Sequence, residues 1–418
     1  MKFLKKNEIS TNIIALFFVQ FANYISPLLV LPYLSRVLGL DGFGIVAIAM
    51  SLCGIVLIIT DYGFGLSAPY WLAKNKAHKN QVAEYLGAIF IIKFILFSIC
   101  TAVVTYYFFF LQAVMPHTLL FFGALVSSIL FQTFQPNWFF LGIEKMKNVT
   151  FFMVVAKLSY LMLVFTIVKK QTQIDLVIVC FAVSNLLATA IGIWFIYKEG
   201  YRVSKPRVML SLTVFKDGGF FFLSRLAVGV YTSASTFFVG SFSGASAAAL
   251  YNSAEKIYQA GQSATSPVSQ ALFPYLARTG RKDVLYKAVG GLFIPMVIGS
   301  SFCIYYSDYI VVLFFGEEFH AASNLLNIFM VTLLVNFIGV NFGYPAFSSI
   351  NRVDVANKSV LFSSILQLVF LIIMYLTDSI SPINICYSVL TIEVVVMLIR
   401  VSFFVYLSRN SISREKFS

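Results

Sequence analysis

The sequence predicts an all-α polytopic membrane protein, with twelve transmembrane helices in two parallel six-helix halves around a central cavity. Three observations lead to this prediction. Hydrophobic residues make up 59% of the 418 residues and charged residues only 11%. Long apolar stretches fill almost the whole chain, and the loops between them alternate between rich and poor in lysine and arginine. With a mean hydropathy of +0.87, the chain is too apolar for a soluble domain, whereas a bilayer would solvate it.

Each apolar stretch is long enough for a helix to cross the bilayer. A hydrocarbon core of about 30 Å takes about 20 residues at a rise of about 1.5 Å each. Helices are required because the bilayer core offers no water to satisfy exposed backbone groups. The predicted spans are residues 11–35, 43–69, 84–111, 118–141, 149–168, 176–197, 213–240, 249–276, 284–313, 321–347, 359–377 and 384–408.

The distribution of positive charge predicts the orientation of these spans. Both termini and every second loop together carry 22 of the 30 lysine and arginine residues. The other loops carry only Arg36, Lys169 and Lys170. By the positive-inside rule, the rich set is cytoplasmic, so both termini are expected on the cytoplasmic side of the membrane. The net charge of +13 is spread over seven short segments, and this argues against a nucleic-acid partner.

Motifs of enzymes and of metal or cofactor sites are missing. The five cysteines all fall inside predicted spans without C-x-x-C spacing, so they are expected to be small buried hydrophobic residues. The sequence contains no G-x-x-x-x-G-K-[ST], G-x-S-x-G or H-E-x-x-H motif. We therefore predict no metal, no cofactor, no direct ATP hydrolysis and no enzymatic activity.

An internal repeat divides the chain into its two halves. The segment VLGLDGFGIVA at 37–47 resembles FSGASAAALYN at 242–252, where Gly39 matches Gly244. A second similarity joins QPNWFFLGIEKMKN at 135–148 to YPAFSSINRVDVAN at 344–357. The predicted domains are residues 1–200, a cytoplasmic linker at 201–212, and residues 213–418.

Parallel six-helix halves are typical of secondary transporters, in which substrate binds between the halves and rocking of the halves gives alternating access. Polar residues inside spans are costly, so their positions indicate function. In the eighth span Asn252, Glu255, Gln259 and Gln262 follow one helical face, with Lys256 beside them. The other predicted substrate-binding residues are Arg225 in the seventh span, Gln20 and Asn23 in the first, Lys93 in the third and Lys157 in the fifth.

Structural roles compete with function at several of these positions. Small residues in the seventh span could form a packing seam, Lys93 could extend toward the cytoplasm, and Glu393 could pair with a neighbouring cation. For Asp61 and Arg400, close to the cytoplasmic ends of their spans, topology or local pairing is the better explanation. Taken together, the deep positive charges and amides predict a hydrated cavity for an anionic, hydroxylated ligand.

The segments LGLDGFGIVAIAMSL at 38–52, TDYGFGLSA at 60–68, PNWFFLGIEKMKN at 136–148 and ALYNSAEKIYQAGQSATSPVSQALFP at 249–274 resemble O-antigen flippases. These are polysaccharide exporters of the multidrug/oligosaccharidyl-lipid/polysaccharide (MOP) superfamily. The resemblance runs from about residue 10 to residue 400 and implies a fold like that of the multidrug and toxin extrusion (MATE) transporters. One departure is that the first span has no deep arginine, which puts phosphate capture there in doubt.

The resemblance implies movement of an undecaprenyl-pyrophosphate-linked O-antigen repeat unit from the cytoplasmic to the periplasmic leaflet. Cations would bind the pyrophosphate, amides would bind the sugars, and the lipid tail would remain in the bilayer. The O-antigen polymerase and the chain-length machinery are candidate protein partners. Alternatives are a cation-coupled multidrug exporter of the same fold and an exporter of capsule or teichuronic-acid units. A membrane glycosyltransferase is disfavoured because the predicted external loops are short.

Overall fold

The computed structural model describes the backbone of residues 2–415 and the side chains of residues 29–219, 222 and 234–409. Throughout this described part the regular secondary structure is helical. The chain forms two compact units, Met1–Gly229 and Val230–Ser418, and the boundary between them falls inside one long helix. The helices of unit 1 are α1 Lys2–Asp61, α2 Phe64–Asn75, α3 Lys79–Tyr106, α4 Leu119–Thr133, α5 Asn137–Gly142, α6 Met146–Ile167 and α7 Ile174–Lys198.

Helix α8, Val208–Ser243, crosses from unit 1 into unit 2. The remaining helices of unit 2 are α9 Ala245–Thr279, α10 Lys282–Tyr305, α11 Ser307–Phe315, α12 Ala322–Asn341, α13 Tyr344–Ser348, α14 Val353–Leu376 and α15 Pro382–Glu415. A π turn at Tyr107–Leu111 extends α3, and a 3₁₀ turn at Glu317–Phe319 follows α11.

Nine helical segments within the described residues are long and apolar enough to cross a membrane, judged by length and composition. They confirm the prediction of an all-α membrane fold, and the protein is an integral membrane protein. The total of twelve spans stays a prediction. The predicted seventh span, residues 213–240, lies partly outside the described residues. The predicted eighth span, residues 249–276, is described throughout as part of an α-helix, Ala245–Thr279, but is not among the nine.

Glycine breaks the helices at equivalent points of the two units. At Gly39, inside α1, φ is 68° and ψ is −175°. At Gly244, between α8 and α9, φ is 92° and ψ is 176°. This backbone region is open essentially to glycine alone, because a Cβ atom would clash with the backbone there. The sequence match between these two glycines therefore corresponds to a shared backbone conformation.

The second sequence similarity also corresponds to a shared local structure. In unit 1 a long helix, α4, is followed by the short α5 and then α6. In unit 2 the long α12 is followed by the short α13 and then α14. A residue with positive φ lies shortly after each short helix, Glu144 at 62° and Asn351 at 55°. The two halves of the chain therefore repeat a helix, a short helix and a helix.

Each unit has its own buried core near its short helix. In unit 1, Trp138, Phe139 and Phe140 of α5 pack with Phe64 and Phe152. In unit 2, Ala346 and Phe347 of α13 are buried with other apolar residues, namely Leu276, Leu285 and Phe404. Because lipid tails are as apolar as these side chains, helix association in a bilayer depends on close packing more than on removal of surface from water.

The segment predicted as a linker packs closely on unit 1. Ser204 donates its backbone N–H to the Ala83 carbonyl at 3.1 Å, and Tyr201 donates its hydroxyl to the Lys76 carbonyl at 3.0 Å. A methyl group at Gly87 of α3 would lie 1.9 Å from the Ser204 carbonyl oxygen, so only glycine permits this approach. The domain boundaries at 200 and 212 stay predictions.

Candidate functional site

A polar pocket in unit 2 opens along one face of α9. Its cavity volume is about 60 Å³, well below the usual range of small-molecule sites, about 300–1,000 Å³. Five of its lining residues come from α9 at spacings of three, four and one residue, which places them on one helical face. The lining residues are Ser235, Tyr251, Glu255, Tyr258, Gln259, Gln262, Phe329 and Val389. Three predicted residues, Glu255, Gln259 and Gln262, are therefore brought together.

Glu255 is held by a hydroxyl from the end of α8. Thr236 donates its hydroxyl to Glu255 Oε2 at 3.0 Å. Asn252, another predicted residue, donates from Nδ2 to the same Thr236 oxygen at 3.3 Å. One turn of α9 and the end of α8 are thereby joined, and the carboxylate is fixed at the pocket wall.

Lys256 follows Glu255 directly and turns toward the next turn of α9. Its Nζ atom donates to Gln259 Oε1 at 3.0 Å. Lys256 does not line the pocket. The sequence predicted Lys256 beside the polar face that carries Glu255. In the structure Glu255 lines the pocket and the neighbouring Lys256 is half-buried.

A chain of amide groups leads from the pocket to a buried carboxylate on α15. Gln262 Nε2 donates to Tyr258 Oη at 2.7 Å and to Asn336 Oδ1 of α12 at 3.1 Å. Asn336 Nδ2 in turn donates to Glu393 Oε1 at 3.0 Å, and Glu393 is 6% exposed. Sequence reasoning missed Asn336. The signal available was an isolated amide inside an apolar span.

Three aromatic rings form the apolar wall of the pocket. The Tyr258 and Phe329 rings are stacked with centroids 5.1 Å apart. The Tyr251 ring meets the Phe329 ring edge to face at 5.5 Å. Such pairs hold the rings in one arrangement. The packing leaves Tyr251 and Phe329 1% exposed and Tyr258 6% exposed.

The predicted cations of unit 1 occupy a different setting. Lys93 is 3% exposed. Its Nζ atom donates to the Thr133 carbonyl at 2.9 Å and lies 3.8 Å from Asp61 Oδ1. Lys157 of α6 is half-buried. The role of either residue in substrate binding stays a prediction.

The side chains of Arg225, Gln20 and Asn23 lie outside the described residues, so their predicted roles in binding substrate are not tested. Among the described residues, no group of three or more His, Cys, Asp or Glu side chains is placed to hold a metal ion.

Comparison with known proteins identifies the family. Residues 9–280, well over half of the chain, match the model of the polysaccharide biosynthesis protein family. The chain belongs to this family. Among its relatives is the "Putative O-antigen transporter" of Escherichia coli (strain K12), 29% identical over 281 residues. The matching region covers 66% of each protein, just under two thirds of the relative's length.

Solved structures show the fold of this polysaccharide biosynthesis protein. A multidrug resistance MATE family transporter of the MOP superfamily, in an inward-facing conformation, matches with a TM-score of 0.71 and 15% identity. That match covers 96% of this chain and 99% of the transporter. The lipid II flippase MurJ matches with a TM-score of 0.72 and 14% identity, over 96% of this chain and 90% of MurJ. The predicted MATE-like fold is confirmed.

Proposed function

We propose that this protein is an O-antigen flippase of the bacterial inner membrane. It moves an undecaprenyl-pyrophosphate-linked oligosaccharide repeat unit from the cytoplasmic to the periplasmic leaflet by alternating access. The proposal is supported by membership of the polysaccharide biosynthesis protein family and by the relative named for O-antigen transport. The observation that carries it is the pocket of unit 2, which is lined by a carboxylate, two amides and three aromatic residues.

The chemistry of such a substrate suits the residues present. A pyrophosphate diester carries two negative charges and needs cations, for which Arg225, Lys256, Lys93 and Lys157 are the candidates. Sugar hydroxyl groups need hydrogen-bonding partners, which Asn252, Gln259 and Gln262 would supply. The lipid tail stays in the bilayer throughout, so the protein has only to shelter the polar head group.

The membrane potential is a sufficient energy source for this transport. Moving two negative charges outward, down an inside-negative potential, gains about 4–5 kcal/mol per 100 mV. The transport cycle then needs no ATP and no catalytic residue. Both termini are placed in the cytoplasm by the positive-inside rule.

A second candidate function follows from the pocket itself. Glu255 at the pocket wall would also suit an organic cation, because a carboxylate attracts positive charge. The function would then be cation-coupled multidrug export. Glycan export is preferred because the family match covers residues 9–280, whereas the similarity to a multidrug transporter is one of fold.

The deciding experiment is a lipopolysaccharide gel of a strain deleted for the gene and complemented with wild type, Arg225→Ala or Lys169→Gln. Lys169, exposed in a loop predicted to be external, is the matched control. We expect loss of the O-antigen ladder on deletion, with rescue by wild type and by the control. Normally inserted Arg225→Ala should fail to rescue, and rescue by it would remove Arg225 from the site. An unchanged ladder on deletion, with increased sensitivity to cationic drugs, would favour multidrug export.

A further inference from the structure

The segment that leads into α8, residues 201–207, carries cations on its outward side. Tyr201 is buried in the core of unit 1, and Ser204 donates its backbone N–H to a carbonyl of α3 at 3.1 Å. Arg202 and Lys205, which directly follow these two residues, are exposed. The contacts of Tyr201 and Ser204 therefore hold the segment on unit 1 and leave two cations at fixed places on its surface.

These two cations are not neutralised by neighbouring carboxylates. Within the part of the chain that the structure describes, neither Arg202 nor Lys205 forms an ion pair. The next cation along the segment differs in this respect, because Arg207 Nε lies 3.7 Å from Glu84 Oε2. The outward side of the segment therefore offers two positive charges to an external anion.

The first turns of α8 continue this outward side with an apolar surface. The exposed residues there are large and apolar, namely Val208, Met209 and Leu212. Residues three and four apart share a face of a helix, so these side chains lie together. Val214, which is buried in the core of unit 1, holds another face of the helix against the protein. Lys216 and Asp217 follow as exposed residues of opposite charge and add no net charge.

This surface lies at the level where lipid head groups meet the hydrocarbon core. Trp194 and Tyr197, near the end of α7, are each more than half exposed, and Lys198 Nζ lies 4.9 Å from the centroid of the Trp194 ring. Tryptophan and tyrosine are enriched at this level of a membrane. The segment 201–207 follows α7 directly and precedes the predicted seventh span. Its cations are therefore expected among the head groups, with the apolar start of α8 closer to the hydrocarbon.

An anionic phospholipid matches both parts of this surface. Its phosphate group supplies the negative charge that two unpaired cations attract, and its acyl chains can cover the apolar side chains. A soluble anion would use only the cations. A zwitterionic phospholipid would contact the apolar part but carries no net charge for the cations.

We propose that residues 202–212 form a binding site for an anionic phospholipid, in the leaflet that the positive-inside rule assigns to the cytoplasm. Arg202 and Lys205 bind the phosphate group, and Met209 and Leu212 contact the acyl chains. The bound lipid anchors the start of α8 at the membrane surface. The site faces outward from unit 1 and is independent of the proposed function.

The first test is native mass spectrometry of the full-length protein in an uncharged detergent, with added palmitoyl-oleoyl phosphatidylglycerol or the matching phosphatidylcholine. We expect the tightest site of the wild type to prefer phosphatidylglycerol about tenfold. Arg202→Gln combined with Lys205→Gln should weaken phosphatidylglycerol binding about tenfold, because each basic residue near the membrane surface adds to the attraction of anionic lipid. Phosphatidylcholine binding should stay the same.

A matched pair of cations in unit 2 separates a local site from general attraction. Arg278 and Lys287 are also exposed, at the predicted cytoplasmic ends of α9 and α10. Arg278→Gln combined with Lys287→Gln removes the same charge and should keep the wild-type affinity for phosphatidylglycerol. Equal weakening by the two double variants, or no weakening by either, would overturn the site. Displacement of phosphatidylglycerol by an equimolar amount of undecaprenyl pyrophosphate would assign the surface to a transported lipid instead.

The second test concerns the apolar part of the site. Met209→Ser combined with Leu212→Ser should weaken phosphatidylglycerol binding severalfold, because the acyl chains lose apolar contact area. The matched control is Leu119→Ser combined with Leu120→Ser, at two exposed leucines that begin α4. This control should bind like wild type. An unchanged affinity of the Met209 and Leu212 variant would overturn the two-part site.

Thermal unfolding checks the folding of these variants and gives an independent measure of binding. The substituted side chains are exposed, so midpoints without added lipid should match that of wild type. If a double variant does not fold, Lys205→Gln or Leu212→Ser alone gives the same test with an effect of about threefold. Phosphatidylglycerol should raise the midpoint of wild type more than that of the Arg202 and Lys205 variant, since a ligand stabilises the protein that binds it. Equal stabilisation of the two proteins would contradict the site.

Discussion

Lys93 and Arg400 perform the same task in the two units. Lys93 Nζ donates to the carbonyl of Thr133, the last residue of α4, at 2.9 Å. Arg400 donates from Nη1 to the Gly339 carbonyl in the last turn of α12, also at 2.9 Å. The last carbonyls of a helix lack partners within it and carry the negative end of its dipole, so a cation stabilises them.

The shared contact with a helix end gives a structural reason for the burial of Lys93 and Arg400. Helices α4 and α12 occupy matching places in the repeat, each followed by a short helix. The cations come from different places, Lys93 from α3 and Arg400 from α15. In each unit a cation therefore stabilises the C-terminal end of the equivalent helix, but the two cations come from different helices.

Replacing Asp61 and replacing Lys93, the two members of a partly buried ion pair, should destabilise the protein by different amounts. Lys93 is 3% exposed and Asp61 about one third exposed, and Lys93 Nζ lies 3.8 Å from Asp61 Oδ1. Asp61→Asn leaves a buried cation without its counter-charge and should lower the free energy of unfolding by about 2–4 kcal/mol. Lys93→Met should cost less, because Asp61 keeps access to solvent. Thermal unfolding of the purified protein in detergent measures both.

The double variant and a surface control complete that comparison. Asp61→Asn combined with Lys93→Met should recover part of the loss, since no charge is then left unpaired. Lys169→Gln, at an exposed lysine, should stay within about 0.5 kcal/mol of wild type. Equal losses for the two single variants would show that the pair is not coupled.

Arg400→Lys should destabilise unit 2 even though the charge is kept. Arg400 is 9% exposed and donates from Nε to Ser359 Oγ at 2.8 Å as well as to the Gly339 carbonyl. A lysine ammonium group cannot reproduce the planar fork that reaches both acceptors. We expect a loss of about 1–3 kcal/mol, the value of a charged hydrogen bond, measured by thermal unfolding. Arg409→Lys, at an exposed arginine, should have no effect, and equal stability of the two variants would contradict the prediction.

Gly244→Ala should be destabilising through backbone strain alone. Its φ is 92°, and no atom lies within 4 Å of an added Cβ, so a steric clash with neighbours is not the cause. Holding alanine in this conformation costs about 1–3 kcal/mol. The matched control is Gly299→Ala in α10, which is equally open but helical. The control should be neutral or stabilising by up to about 1 kcal/mol. Similar thermal midpoints for the two variants would rule out the strain.

The ion pair at the end of α7 should make stability depend on pH. Lys145 Nζ lies 2.7 Å from Glu199 Oε2, and Asn148 donates to Glu199 Oε1 at 3.0 Å. Partial burial acts to raise the pKa of Glu199, but these hydrogen bonds and the positive charge of Lys145 outweigh it and lower the pKa below its usual value. Its stabilising contribution is therefore present above the unfolded-state pKa and is lost as pH falls through the lowered pKa.

Glu199→Gln should remove this part of the acid sensitivity. The pair is partly exposed to solvent, so the effect is about 0.2–1 kcal/mol. Thermal midpoints at pH 7 and below pH 4 should differ less in the variant than in wild type. Glu144→Gln is the control, because Glu144 meets Lys76 at an exposed site. An unchanged difference for Glu199→Gln would show that the pair does not stabilise the fold.

Much of the fold could be predicted from the sequence because the bilayer imposes simple rules. Long apolar stretches must be helical, so helices such as α3 and α14 could be located from composition alone. The match of Gly39 with Gly244 predicted a repeat, and both positions have a backbone conformation that favours glycine. The short helices α5 and α13 were harder to foresee, because each is too short to show a period.

The candidate site could be predicted only in part. The amphipathic pattern of α9 is enough to bring Glu255, Gln259 and Gln262 together, because residues three and four apart share a helical face. Asn336 and Phe329 come from α12, about 70 residues further along the chain. A contact over that distance leaves no periodic signal in a single sequence.

The sequence by itself determined that this is a helical membrane protein with a polar face on α9, because hydrophobicity and local spacing act within one helix. Only the tertiary structure decided which polar groups meet. It separated Lys93, which holds a helix end, from Glu255, which lines a pocket, and it joined Gln262 to Glu393 through Asn336. The physical reason is that a buried polar group must find a partner, and which partner it finds depends on how distant helices pack.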